Sequence, residues 1–300
     1  QPVTSLASND TTAVKASFDL AEQYMFFKPG RGIIMAQRSY ALAVAIKNSP
    51  YQRRSLVLLA NLYVGLGNYT KAMKLYYDCL RLAENNHDDY AIIQTYNNIG
   101  STYIQMPDYP KAFLYLRQAQ QKLAPYISPS SKNIPFKFKK IDIYILNNFG
   151  EAFLFTDKLD SAAYYINKGI KDQSTYQFDD LRPVFISDLG ILESKKGNKA
   201  AALNYLHKAE KAWVTIKDLT NLDLLYFQYA KVYKKFNQPD SAIFYAQKAL
   251  SSAAEANFLA DEAAAAKLLY ELYDAKQNIP LAYKYYKTAT RINDSLINKD

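Results

Sequence analysis

Cysteine and histidine are almost missing from this 300-residue chain: Cys79 is the only cysteine, and His87 and His207 are the only histidines. One cysteine excludes an intramolecular disulfide and leaves the redox compartment open. The histidines stand 120 residues apart (207 minus 87), and neither has a cysteine or second histidine at metal-ligand spacing. Both read as exposed and structural, and no metal site is expected. Glycine and proline are scarce, at 9 and 11 residues, too few for a β-rich fold with many tight turns, so helix is favoured. No apolar stretch approaches the roughly 18 residues that cross a bilayer. The chain opens at Gln1 without a methionine or a signal-like segment, as expected of a processed or trimmed piece. Glycine-rich phosphate loops, Gly-x-Ser-x-Gly and His-Glu-x-x-His are all lacking. No catalytic residue and no cofactor is assigned, and the chain reads as a non-enzyme.

The charge lacks clustering. Thirty-seven basic against 28 acidic side chains give +9, yet the lysines are spread along most helical segments. That pattern describes a solvated basic surface better than a nucleic-acid footprint, so no direct nucleic-acid partner is expected.

What is present is a repeat. Length alone suggests about two domains, but a fixed period outranks that prior. Ala72, Ala112, Ala162, Ala202, Ala242 and Ala282 are separated by 40, 50, 40, 40 and 40 residues. Seven residues after each comes a second small residue: Cys79, Ala119, Gly169, Ala209, Ala249 and Ala289. Upstream of each anchor, a separate helical pattern ends in a short polar turn such as Gly67-Asn68, Pro107-Asp108, Asp157-Lys158, Gly197-Asn198 or Gln277-Asn278. Each unit is therefore a helical hairpin. Its first helix carries a seam of apolar and small residues: Leu59, Ala60 and Tyr63; Ile99, Gly100 and Tyr103; Phe149, Gly150 and Phe153; Leu189 and Gly190; Tyr229, Ala230 and Tyr233; Leu269, Tyr270 and Tyr273. Two helices approach closely only where small side chains face each other, with aromatics filling the space beside them. Thr70, Asp160 and Asp240 read as caps of second helices, and Pro110 and Pro280 as first-turn residues.

The run Tyr96-Asn97-Asn98-Ile99-Gly100, with Tyr103, Asp108-Tyr109, Ala112 and Ala119, resembles the tetratricopeptide repeat family. That resemblance implies an all-α, right-handed α-α superhelix of about seven hairpins with a 40-residue period, longer than the family's usual 34. The units fall at about 52–88, 92–123, 141–176, 181–215, 221–255 and 260–295. A degenerate one at about 12–50 includes Leu20, Ala21, Tyr24, Ala36, Tyr40 and Ala43. The single 50-residue step places ten extra residues in 124–140, read as an inserted loop because of Pro125, Pro129 and Pro135. Loop lengthening is cheap, so a tolerated insertion and a binding loop around Phe136 and Phe138 both remain open.

The resemblance further implies that first helices line the concave face, where ligands bind. The inner stripe comprises Arg54, Val57 and Asn61; Gln94, Asn97, Ser101 and Gln105; Tyr144, Asn147 and Glu151; Ser187 and Ile191; Phe227 and Lys231. Carboxamides at Asn61, Asn97 and Asn147 offer a donor and an acceptor together, which suits an extended peptide backbone. They equally suit hydrogen bonds that fix the stacking of neighbouring repeats. Members that clamp a terminal carboxylate use cations where Val57 and Tyr144 stand here, which argues against that partner.

The signatures Asn-Asn-Ile-Gly and Asn-Asn-Phe-Gly and the closing Asp294-Ser295-Leu296 run resemble the extracytoplasmic sensor modules of bacterial two-component histidine kinases and helix-turn-helix regulators. That likeness implies a protein- or peptide-binding sensor ectodomain, periplasmic, with any membrane contact through segments outside these residues and dimerisation possible in the full-length protein. A self-contained cytoplasmic or periplasmic adaptor is the alternative.

Overall fold

The computed structural model describes residues 11–25, 28–128, 133–177, 181–215 and 222–297. They form fourteen α-helices in seven hairpins, with no strand among the described residues. The pairs are α1 (Thr12–Tyr24) and α2 (Pro29–Ala45), α3 (Ser49–Gly65) and α4 (Tyr69–Asn85), α5 (Asp89–Gln105) and α6 (Tyr109–Leu123), and α7 (Phe136–Phe155) and α8 (Leu159–Tyr176). They continue as α9 (Arg182–Lys195) and α10 (Lys199–Thr215), α11 (Leu222–Lys235) and α12 (Pro239–Ala256), and α13 (Leu259–Ala275) and α14 (Ile279–Ile297). Within each hairpin the two helices pack together, and each second helix packs on the first helix of the next hairpin. First helices also touch the following first helix, which makes them the inner layer of an all-helical solenoid.

One backbone device closes the hairpins. From α4 on, the amide that opens each second helix donates to the carbonyl five residues back: Asn68 to Tyr63, Asp108 to Tyr103, Lys158 to Phe153, Asn198 to Glu193, Gln238 to Tyr233 and Asn278 to Tyr273, at 2.8 to 3.0 Å. This is the Schellman bond, which satisfies helix-end carbonyls and requires a left-handed residue in between. Gly67 and Gly197 supply it with φ of +73° and +91°, and Asp157, Asn237 and Gln277 with φ of 54° to 56°. The residue that donates this bond also starts the second helix. Asn68 accepts from the Lys71 amide at 3.1 Å and Asp108 from that of Lys111 at 3.2 Å. Thr70, Asp160 and Asp240 are therefore not caps; each lies two residues later, inside the first turn. Pro110 and Pro280 do sit in first turns, where a missing donor costs nothing.

The anchoring alanines are buried, five at 0% and Ala282 at 4% exposure. A methyl added at Gly100 would lie 2.8 Å from Leu116 Cδ2, and one at Gly190 would lie 2.9 Å from Leu206 Cδ2. Beside these contacts an aromatic of the first helix stacks on one of the second in the same register four times. Tyr103 lies on Tyr115 at 5.7 Å, Phe153 on Tyr165 at 5.4 Å, Tyr233 on Tyr245 at 5.4 Å and Tyr273 on Tyr285 at 5.6 Å. The core is thus a chain of adjoining clusters rather than one centre, as repeat stacking requires.

The segment 124–140 is only partly a loop. A 3-10 turn, Ala124–Tyr126, follows α6, and α7 begins at Phe136, so 136–140 are helical; residues 129–132 lie outside the described ones. Pro135, at φ −57° and ψ 139°, ends the extended chain and starts the helix. Phe138 is 6% exposed and stacks on Tyr126 at 4.1 Å with its edge toward Tyr90, which draws the extra turn of α7 against the preceding hairpin. Phe136 stays exposed.

Candidate functional site

The inner stripe is divided by the structure into three stations. At the first, Asn61 of α3, Gln94 and Asn97 of α5 and Tyr144 of α7 converge on a cavity of about 310 Å³, completed by Tyr90, Asn98, Lys140 and Ile141. Two of the carboxamides already have internal partners. The Asn61 oxygen accepts from the Tyr76 hydroxyl at 2.5 Å, and the Asn97 oxygen accepts from Asn148 Nδ2 at 2.8 Å. Asn97 is 5% exposed, so its oxygen serves the junction between α5 and α7. Of the two roles open to this carboxamide, stacking is the one its oxygen performs.

The second station lies between α7 and α9, where Asn147, Glu151 and Ser187 are partly exposed and Asp188 is 7% exposed. Burial pushes the Glu151 carboxyl up to about 7. Burial, then the nearby Glu151, holds the Asp188 carboxyl well above the usual carboxylate range. Asn147 Oδ1 and Asp188 Oδ2 are both buried without a hydrogen-bond partner. Ser101 and Gln105 lie further along α5, the first partly and the second fully exposed, and line neither cavity.

The third station is basic. Phe227 and Lys231 of α11 line a cavity of about 520 Å³ with Lys234, Lys235, Lys267 and Glu271. The Lys231 ammonium lies 5.7 Å from the Phe227 ring centre and 5.9 Å from that of Phe155 on α7. Burial, then the neighbouring Lys195, lowers its pKa. Lys234 pairs with Glu271 and Lys195 with Asp157, each at 2.5 Å, while Lys235 donates to the Ser194 carbonyl at 2.6 Å. Along successive first helices the stripe therefore passes from carboxamide through carboxyl to ammonium.

Asp188 and Lys267 escaped the sequence reading. The 40-residue register contained both: Asp188 follows Asn98 and Asn148 one position past the stripe, and Lys267 follows Phe227 on it. His87 and His207 are exposed as expected. Among the described residues no group of three or more His, Cys, Asp or Glu could hold a metal, and no helix is long and apolar enough to cross a membrane.

Residues 51–121 and 224–255 match the tetratricopeptide repeat family. The 43 kDa receptor-associated protein of the synapse from Tetronarce californica is 22% identical over 182 residues, 54% of this chain and 42% of its own length. The match thus spans less than half of that relative. Among solved structures, a Rap protein complexed with competence and sporulation factor aligns with a TM-score of 0.67 over 96% of this chain and 78% of its own, at 12% identity. A signal transduction ATPase with numerous domains from Pyrococcus horikoshii, which carries a tetratricopeptide repeat sensor, aligns with a TM-score of 0.54 over 94% of this chain and 41% of its own, at 18% identity. These two likenesses are of fold. With the matched segments, they show that the seven stacked hairpins have the fold of a tetratricopeptide-repeat-like helical solenoid.

Proposed function

We propose that the chain is a non-catalytic module that binds a protein or peptide along the inner face of its first helices, and that it acts as the ligand-sensing part of a bacterial signal-transduction protein, working outside the cytoplasm. The observation that carries the binding reading is convergence: Asn61, Gln94, Asn97 and Tyr144, from three successive first helices, meet around one polar cavity. A tyrosine beside carboxamides gives rigid contact area with polar tips, the chemistry that grips an extended chain. The sensing role is supported by the shared fold of two proteins, one named for its repeat sensor and one seen with a factor bound.

Obstruction of the groove tests this. Ser187 lies on the stripe, and Val57 and Phe227 occupy its register in other hairpins, so the helix tolerates bulk there. With the immobilised chain and a randomised hexapeptide pool, Ser187→Phe is expected to reduce peptide retention at least tenfold with Tm unchanged within a few degrees. Replacing the outward-facing Tyr164, 60% exposed on α8, with alanine leaves retention intact. Equal retention by wild type and Ser187→Phe would place binding elsewhere.

A further inference from the structure

Between α5 and α7, Asn148 Nδ2 donates to Asn97 Oδ1 at 2.8 Å. One hairpin further on, the same register holds Asn147 and Asp188 (97 to 148 is 51 residues, 147 to 188 is 41, and the steps between hairpins are 50 and 40). Here the donor amide is replaced by a carboxyl, and the two oxygens at this junction, Asn147 Oδ1 and Asp188 Oδ2, are buried with no donor. Glu151, one turn along α7, brings a second carboxyl close enough to act on Asp188. Among the described residues no cationic side chain acts on either group, although the protein carries +9 and pairs several other carboxylates, Asp88 with Arg53, Asp157 with Lys195 and Glu271 with Lys234 among them. Unpaired carboxylates withdrawn from water are costly, and a cation brought to them in a low-dielectric groove interacts far more strongly than on an open surface.

We propose that the wall formed by Asn147, Glu151, Ser187 and Asp188 is a subsite for a cationic group of the bound ligand, a primary ammonium or guanidinium carried by a peptide. The ligand's N–H groups donate to the partly exposed Glu151 carboxylate, and its charge offsets the carboxyl pair; Asp188 Oδ2 and Asn147 Oδ1 lie sealed behind it. This rests on the peptide-groove reading above and narrows it. The basic station one hairpin away, around Lys231 and Lys267, gives the groove opposite polarity at its two sites and fixes the direction in which a charged peptide lies.

Two sources of the cation are open, an amino terminus and a lysine or arginine side chain, and three randomised hexapeptide libraries separate them. The first has free amino termini and omits Lys and Arg; the second is N-acetylated and includes them; the third is N-acetylated and omits Lys, Arg and His. Wild type is expected to retain the first or the second at least tenfold over the third, and which of the two is enriched names the source. Asp188→Asn keeps the fold, because Asn98 and Asn148 occupy its register, and Glu151→Gln is isosteric. Both variants are expected to lose the enrichment, holding the first and second libraries no better than the third. Retention in wild type should also rise from pH 6 to pH 8, as Glu151 goes from about one-tenth to about nine-tenths ionised, and this rise should vanish in Glu151→Gln. The groups facing Glu151 are Asp188 of α9 and the Tyr109 phenol of α6, with Lys231 of α11 over Phe155 one turn further.

Equal retention of all three libraries by wild type, lost on Ser187→Phe, would overturn the cationic subsite and leave the groove standing. Enrichment that persists in Asp188→Asn and Glu151→Gln would also overturn it, leaving Asp188 as a protonated partner of Asn147. Retention of no library would overturn the groove and the subsite together.

Discussion

At the scale of single residues, small side chains set the spacing between helices and buried carboxyls set the response to pH. A methyl added at Gly169 would lie 2.2 Å from Phe185 Cζ, whereas one at Gly65 would meet nothing within 4 Å. Both glycines are helical, so helix propensity favours alanine by about 1 kcal/mol at either site. At Gly169, overpacking of about 1–3 kcal/mol outweighs that gain. Urea unfolding is expected to show Gly169→Ala destabilised and Gly65→Ala neutral or stabilised; stabilisation of both would mean that Phe185 moves freely aside. The pH dependence follows from burial. Glu151 is raised to about 7 from an ordinary 4.5, so the folded protein holds its proton more tightly than the unfolded chain. Between those values stability falls as pH rises, and above about 7 the full cost of the buried charge is present. Glu151→Gln is therefore expected to raise Tm at pH 8 and to change it little at pH 5. Thermal melts at the two pH values read this directly, and a larger gain at pH 5 would contradict it.

Helices here are ended and restarted by the same few residues. The Schellman donor and the cap are one residue, so a turn of two or three residues satisfies the end of one helix and the start of the next. Asn68→Ala removes the acceptor for the Lys71 amide and is expected to cost about 1 kcal/mol; Thr70→Ala, within the first turn, should cost less. Denaturant midpoints for the two variants rank them, and the reverse order would return the cap to Thr70. The sequence located these turns but put the caps two residues late, because Thr and Asp are good caps on propensity alone and only the bond pattern says which residue precedes the first helical turn. The insertion was misread for a related reason. Its prolines signalled a loop, and Pro125 does lie in the turn that follows α6, but a helix resumes at Phe136 since Phe138 finds Tyr90 and Tyr126, contacts with no periodic signature.

At the scale of the molecule, the hairpins contact their neighbours in sequence, so stability is close to a sum of hairpin and junction contributions. Removing α13 and α14 is expected to leave per-residue helicity by circular dichroism nearly unchanged while lowering Tm, because the face of α12 around Ile243 and Ala246 loses Leu268 and Leu269. Loss of helicity across the whole chain would instead show one cooperative core.

The sequence by itself marked six of the seven hairpins, because close helix pairs need small residues at fixed positions and the six anchors from Ala72 to Ala282 repeat in one register. The repeat step also puts residues such as Asn147 and Ser187 at equivalent positions of successive first helices, whereas the inward direction of that stripe was implied by the family resemblance. The tertiary structure alone decided which stripe residues are spent on stacking. Asn97 and Asn147 are the same residue in the same register, yet the oxygen of one accepts from a donor amide and that of the other is buried without a partner. Whether a polar group is satisfied depends on what the next hairpin brings within hydrogen-bond reach, and a contact between repeats is a property of their packing.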